Sequence, residues 1–200
     1  MARTLYYTPR SPYARKVRIV MAEKNLSCTL IDTDVKQKSP EFLRLNPIGK
    51  IPVFIDENGL IFWDSTLIVE YLEETYPDSP FYPTNPLERL RCKQGEELAD
   101  SLTDAIVALS YEVRKGTDAN AQVQAHHQQN VDRMMSVFEQ QLSQAQYLLT
   151  NNLTIVDVAV ISGLGYYTLR CGDEWSRHFP AIAEWGDRLH QLPSIQSTIP

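Results

Sequence analysis

Between Pro77 and Pro86 the sequence reads PDSPFYPTNP, with four prolines in ten residues. Proline has no N–H to donate, and its ring clashes with the preceding helical turn. This stretch therefore neither continues a helix nor sits inside a sheet. It divides the chain into two parts that fold by different rules. Before it, β-prone runs alternate with helix-period segments. After it, strand signals nearly vanish. The expected organisation is a first domain over residues 1–76, a linker over 77–86, and an all-helical domain over 87–200.

In the first part, Thr4–Tyr7 is β-prone. Ser11–Lys24 then carries Ala14, Val17, Val20 and Met21 on one helical face. Ser11 suits the N-cap and Pro12 the first helical position, where a missing N–H costs nothing. Asn25 suits the left-handed position after the helix. Cys28–Ile31 reads as a second strand and Pro40–Leu45 as a short helix or turn. Ile51–Ile55 and Leu60–Phe62 flank Asn58-Gly59, a tight-turn signal. Ser65–Tyr76 reads as a helix with Leu67, Ile68, Tyr71 and Leu72 inward. The order β-α-β-α-β-β-α implies a mixed four-stranded sheet, with a parallel pair first and an antiparallel hairpin after it.

The second part offers helices at Leu87–Lys115, Ala121–Leu142, from Leu153 onward, and Ala181–Leu192. The third has a specific start, with Thr154 as N-cap and Asp157 three positions on, the spacing of a capping box. Gly163 and Gly165 lower helix propensity there, which points to close helix packing.

The net charge of −6 argues against a general nucleic-acid binder. The acidity lies in the second part: residues 1–80 hold 10 basic and 11 acidic side chains, and the remainder 9 and 14. Cys28, Cys92 and Cys171 are isolated, with no metal-ligand spacing, and read as free thiols in a reducing compartment. The start MARTLYYTP has no apolar signal region, and no stretch approaches a membrane span. A cytoplasmic protein with no bound metal, no membrane and no nucleic acid is expected.

Three local features bear on chemistry. Ser11 opens a helix, where unpaired N–H groups and a partial positive charge favour an anion. It serves either as a plain cap or as a donor to that anion. In Asn46-Pro47-Ile48-Gly49-Lys50-Ile51-Pro52, the Ile51–Pro52 step at a strand start suits a cis bond. The backbone of Ile51 is then available to an extended, peptide-like ligand, or the segment is an ordinary turn into a strand. Asp64-Ser65 before the next helix suits either a cap or the zwitterionic end of an amino acid. The four cations of Arg10–Arg18 read mainly as a solvated helix face, with Arg15 on the outside.

Together these motifs, at spacings of about 40 and then 13 residues, resemble the thioredoxin-like domain of cytosolic glutathione S-transferases. The helical remainder with its Thr154/Asp157 box resembles their second domain. Within the family the chain looks most like the serine-type bacterial branch near the theta and zeta classes. The resemblance implies roles. Ser11 would donate to the sulfur of glutathione, which is a substrate and not a tightly bound cofactor. Ile51 would pair with its cysteinyl part, with Pro52 cis. Asp64 and Ser65 would hold the γ-glutamyl end, and Lys50 with Gln37 or Lys38 the glycyl carboxylate. A hydrophobic electrophile would sit between the domains, near Tyr7, Tyr13, Leu109, Tyr111 and Tyr166. The working form would be a homodimer. Residues 11 and 14 are not cysteine, which disfavours redox chemistry by a protein thiol, and the Ser-Ser-Cys signature of zeta-class isomerases is absent. A non-catalytic binding role of the stringent-starvation-protein type, or glutathione-dependent reduction of disulfides or peroxides, remains open at this level.

Overall fold

The structure is a computed structural model and describes residues 2–200. It divides into two compact units. One runs up to Pro80 and includes Ser197–Pro200, and the other is Phe81–Gln196.

In the first unit the order is β1 (Thr4–Tyr7), α1 (Pro12–Glu23), β2 (Thr29–Asp32), α2 (Pro40–Leu45), β3 (Val53–Ile55), β4 (Ile61–Trp63) and α3 (Ser65–Thr75). The sheet order is β2-β1-β3-β4, with β1 and β2 parallel and the other pairs antiparallel. This is the expected mixed sheet. Its third strand begins at Val53, two residues later than expected. Pro52 has no N–H to give the ladder, so pairing starts after it. Leu5, Val53 and Phe54 are fully buried, as are Ala14, Val17, Val20, Ile68 and Leu72 from the helices. Leu67 departs from expectation: it is half exposed, because it lies on the side of α3 away from that buried face.

Two buried polar clusters tie the unit together. Lys24, just past α1, places its Nζ 2.9 Å from Glu73 Oε2. The same Nζ reaches the carbonyls of Tyr76, Asp78 and Ser79 at 2.8–3.2 Å. Asp56 closes the β3–β4 turn by accepting from Asn58 N (2.8 Å), Leu60 N (2.7 Å) and Tyr71 Oη (2.6 Å). Burial pushes the Asp56 carboxyl up. The hydrogen bonds from Tyr71, Leu60 and Asn58 outweigh it and hold it below the usual carboxylate value. A carboxyl lowered on folding adds stability above its unfolded value, near ~4, and loses it as pH falls through the folded value. Asp56→Asn is therefore expected to be less stable than the parent at neutral pH, with the gap closing below about pH 4. Urea titrations at several pH values read this directly. A gap that stays constant into acid would mean that the charge is irrelevant.

The second unit is helical: α4 (Pro86–Val113), a short 3-10 turn (Gly116–Asp118), α5 (Ala121–Leu142), α6 (Ile155–Cys171), α7 (Trp175–His178), α8 (Pro180–Leu189) and α9 (Pro193–Gln196). α4 starts with Asn85 as N-cap and Pro86 in its first turn. A Cβ on Gly163 would meet Thr103 Oγ1 at 2.5 Å, and one on Gly95 would meet Val156 at 2.9 Å. Glycine at these positions lets α4 and α6 approach closely, as Gly163 suggested. Asp157 is fully buried at the start of α6 and accepts from Leu148 N (3.0 Å), Thr154 N (2.9 Å) and Thr154 Oγ1 (2.9 Å). No helix among the described residues is long and apolar enough to cross a membrane.

Candidate functional site

Strand register brings the sequence motifs to one end of the sheet. Tyr7, which ends β1, pairs with Asp32, which ends β2. Tyr6 pairs with Val53, which starts β3, and Val53 pairs with Trp63, which ends β4. The turn holding Ser11, the loop holding Gln37 and Lys38, the Ile51–Pro52 step and the Asp64–Ser65 pair all leave the sheet at that end. The helices agree. Lys16 Nζ donates to Thr66 Oγ1 at 3.0 Å near the starts of α1 and α3, and Lys24 reaches Glu73 near their ends. The two helices run parallel, and their N-termini open on the same side.

Each segment has a local reason for its shape. Ser11 caps α1 in extended geometry, its Oγ accepting from Ala14 N at 3.2 Å. The first turn of α1 carries no acid, so nothing there offsets the positive end of the helix. Asn46 is buried and folds the next loop, donating to Lys50 O (2.8 Å) and accepting from Ile48 N (3.0 Å). Gly49, at φ +69°, lies against Leu43 and the stem of Lys38. The stem of Lys38 thus lies beside the backbone that leads into Lys50, and both side chains are exposed. The Ile51–Pro52 peptide is cis. Among the described residues, no backbone hydrogen bond outside the helices and strands uses Ile51.

Asp64 stands at φ +77°, ψ 127°, a backbone state that costs a non-glycine residue about 1–3 kcal/mol. It caps α3 through Oδ1, which accepts from Thr66 N (3.0 Å) and Leu67 N (3.3 Å). Asp64 thus acts as the cap, one of the two readings of this pair, and occupies the N–H groups of Thr66 and Leu67. Ser65 itself is 5% exposed.

The cations of α1 are not a solvated face. Arg15 and Lys16 are each only 1% exposed. Arg15 Nε donates to Thr198 Oγ1 at 3.5 Å, and Arg18 Nη2 donates to Ser197 O at 3.3 Å. Burial, with the nearby charge of Arg18 adding to it, pulls the Arg15 guanidinium down to about 10. Helix spacing alone assigns one side of α1 to the sheet. It carries no sign that α3 and residues 197–200 cover more of the helix. The Lys16–Thr66 link was missed for the same reason.

Gln37 borders a different feature, a cleft of about 260 Å³ between β2 and α2 that Asp32, Asp34 and Glu41 also line. That acidic lining does not suit a carboxylate. Among the described residues no group of three or more His, Cys, Asp or Glu side chains could hold a metal ion.

Comparison with known proteins gives the arrangement a context. Residues 5–80 match the model of the glutathione S-transferase N-terminal domain, and residues 100–197 that of the C-terminal domain. Glutathione S-transferase D7 of Drosophila melanogaster is 30% identical, over 94% of this chain and 89% of its own length. A stringent starvation protein A homolog of Coxiella burnetii is 37% identical over 90 residues, 45% of this chain and 43% of its own. Among solved structures, a glutathione S-transferase from Methylobacillus flagellatus KT with GSH bound superposes with a TM-score of 0.91 at 32% identity over all of both chains. The chain belongs to the glutathione S-transferase family.

Proposed function

We propose that the chain binds glutathione at the shared end of the sheet and joins its sulfur to hydrophobic electrophiles. The observation that carries this reading is the convergence of the α1 start, the Ile51–Pro52 step and the strained Asp64 on one edge. Ser11 is the activating residue, as in serine-type members near the theta and zeta classes. Its oxygen accepts from Ala14 N, and its proton remains to donate to sulfur. Ile51 offers its backbone to the cysteinyl part. Asp64 takes the α-ammonium, and Ser65 the α-carboxylate beside it. Lys50 and Lys38 face the glycyl carboxylate in preference to Gln37, which borders the acidic cleft. The thiol releases its proton to solvent. The thiolate then forms a bond to the electrophilic carbon, and the leaving group departs with its electron pair. The working form is a cytoplasmic homodimer, which light scattering at micromolar concentration checks.

The energetics are adequate. A free thiol ionises near ~8.5. A hydrogen bond to a charged group supplies about 1.5–3 kcal/mol and a helix N-terminus about 0.3–1 kcal/mol. At about 1.4 kcal/mol per pH unit, this lowers the thiol by about one to three units. In Ser11→Ala, thiolate absorbance of bound glutathione should shift about one to two pH units higher, and turnover at neutral pH should fall roughly 10–100-fold. Unchanged ionisation with unchanged binding would remove Ser11 from the activating role.

The likeness to a stringent starvation protein homolog favours a second reading, a binding protein without transferase activity. Calorimetric titration separates the two. No heat at millimolar glutathione would select the binding protein.

A further inference from the structure

At one end of the helical unit, Ser110 Oγ and Tyr166 Oη lie 3.1 Å apart, both buried. This contact is one rung of a ladder. Gly95 faces Val156, Thr103 faces Gly163, and Ser110 faces Tyr166. Both numbers rise together, so α4 and α6 run parallel. One turn further on the same faces stand Arg114 and Arg170. Both arginines therefore stand at one level of the helix pair. The Arg170 Cζ is 5.4 Å from the centroid of the Tyr166 ring, and the Arg114 Cζ is 5.8 Å from that of Tyr111. Both distances are within cation–π range.

Cations in the last turn of a helix complement its dipole, which accounts for the charge alone. It does not account for Arg170 Nε, which is buried with no hydrogen-bond partner among the described residues. Nor does either guanidinium have a carboxylate within ion-pair distance among those residues. The nearest acid on α4 is engaged elsewhere: Glu112 holds Lys115 at 2.6 Å and also accepts from Asn120 N. Glu174, beyond α6, lies against Gly172. In a chain of net charge −6, these two arginines stand beside tyrosines and without acids. Their donors suit a planar carboxylate, which guanidinium binds in a fork, while the exposed Tyr111 ring suits an aromatic body.

We propose that Ser110, Tyr111, Arg114, Tyr166 and Arg170 form a binding site for an aromatic carboxylic acid, and that the preferred electrophile carries such a carboxylate. The second clause rests on the transferase reading; the first does not. The probe is 3,5-dinitrobenzoate, with 3,5-dinitrobenzamide as its neutral twin, each titrated by calorimetry into the full-length protein. The acid should bind about tenfold more tightly than the amide, and the preference should shrink as salt is raised. Arg170→Met and, separately, the exposed Arg114→Met should each reduce the ratio toward one, with thermal melts confirming that each variant is folded. Equal binding of acid and amide by the parent protein, or a preference that survives both substitutions, would overturn the site. A kinetic arm uses 4-chloro-3,5-dinitrobenzoate and its amide with glutathione. A kcat/KM ratio that favours the acid and falls in Arg170→Met supports the substrate class. Acid-selective binding with no turnover of either compound would sink the transferase reading and leave the carboxylate site standing. Turnover without acid preference would sink the substrate clause and leave the site to the calorimetric test.

Discussion

Replacing Lys24 with methionine is expected to destabilise the first unit by about 3–5 kcal/mol, the range found when one partner of a buried ion pair is removed. The side chain of Lys24 is fully buried and that of Glu73 is 6% exposed. The substitution removes the buried ammonium that pairs with the Glu73 carboxylate. It also deprives the carbonyls of Tyr76, Asp78 and Ser79 of their shared donor, just where α3 gives way to the proline-rich segment. Calorimetry should show the melting of the first unit lowered by about 12 °C or more. Lys24→Met combined with Glu73→Leu should recover much of the loss, because an apolar pair of similar volume often substitutes well for a buried ion pair. A single variant that melts within a degree or two of the parent would show that the ammonium is dispensable.

Asp157→Ala should cost the helical unit about 2–6 kcal/mol. Leu148 N and Thr154 N would each be left buried without an acceptor, at about 1–3 kcal/mol apiece. The Thr154 hydroxyl loses its acceptor too, but it can rotate to another. Asp157→Asn keeps one accepting oxygen, so its loss should be intermediate. Urea titration read by Trp175 and Trp185 fluorescence, in a Trp63→Phe background, follows the unit that holds Asp157. If alanine and asparagine proved equally mild, the carboxylate would be a passenger at that helix start and not its anchor.

These two anchors differ in how visible they are in the sequence. Asp157 was legible because a capping box is local: Thr154, two residues and an acid suffice to state the geometry. Lys24 was not, because its partners lie about fifty residues away and nothing in the helix period marks a lysine as buried. The same contrast runs through the site. Ser11, the Ile51–Pro52 step and Asp64–Ser65 are readable because each is a short motif at an element boundary. Their convergence follows from sheet register, which the β-α-β-α-β-β-α order largely fixes. The burial of Arg15 and Lys16 was misread because it depends on residues contributed from elsewhere in the chain. The positive φ of Asp64 has no signal in residue type, since aspartate before a helix is usually an unstrained cap. The four-residue helices α7 and α9 are shorter than any periodicity can detect.

The place of Ser197–Pro200 has a consequence for biosynthesis. These residues group with the first unit, where Thr198 and Ser197 receive hydrogen bonds from Arg15 and Arg18. The segment that completes the first unit is thus translated only after the whole helical unit. As the nascent chain emerges, α1 must wait with its buried arginine lacking that cover. The early domain is finished last, and any truncation that spares every helix but removes these four residues reaches back to the helix that Ser11 begins.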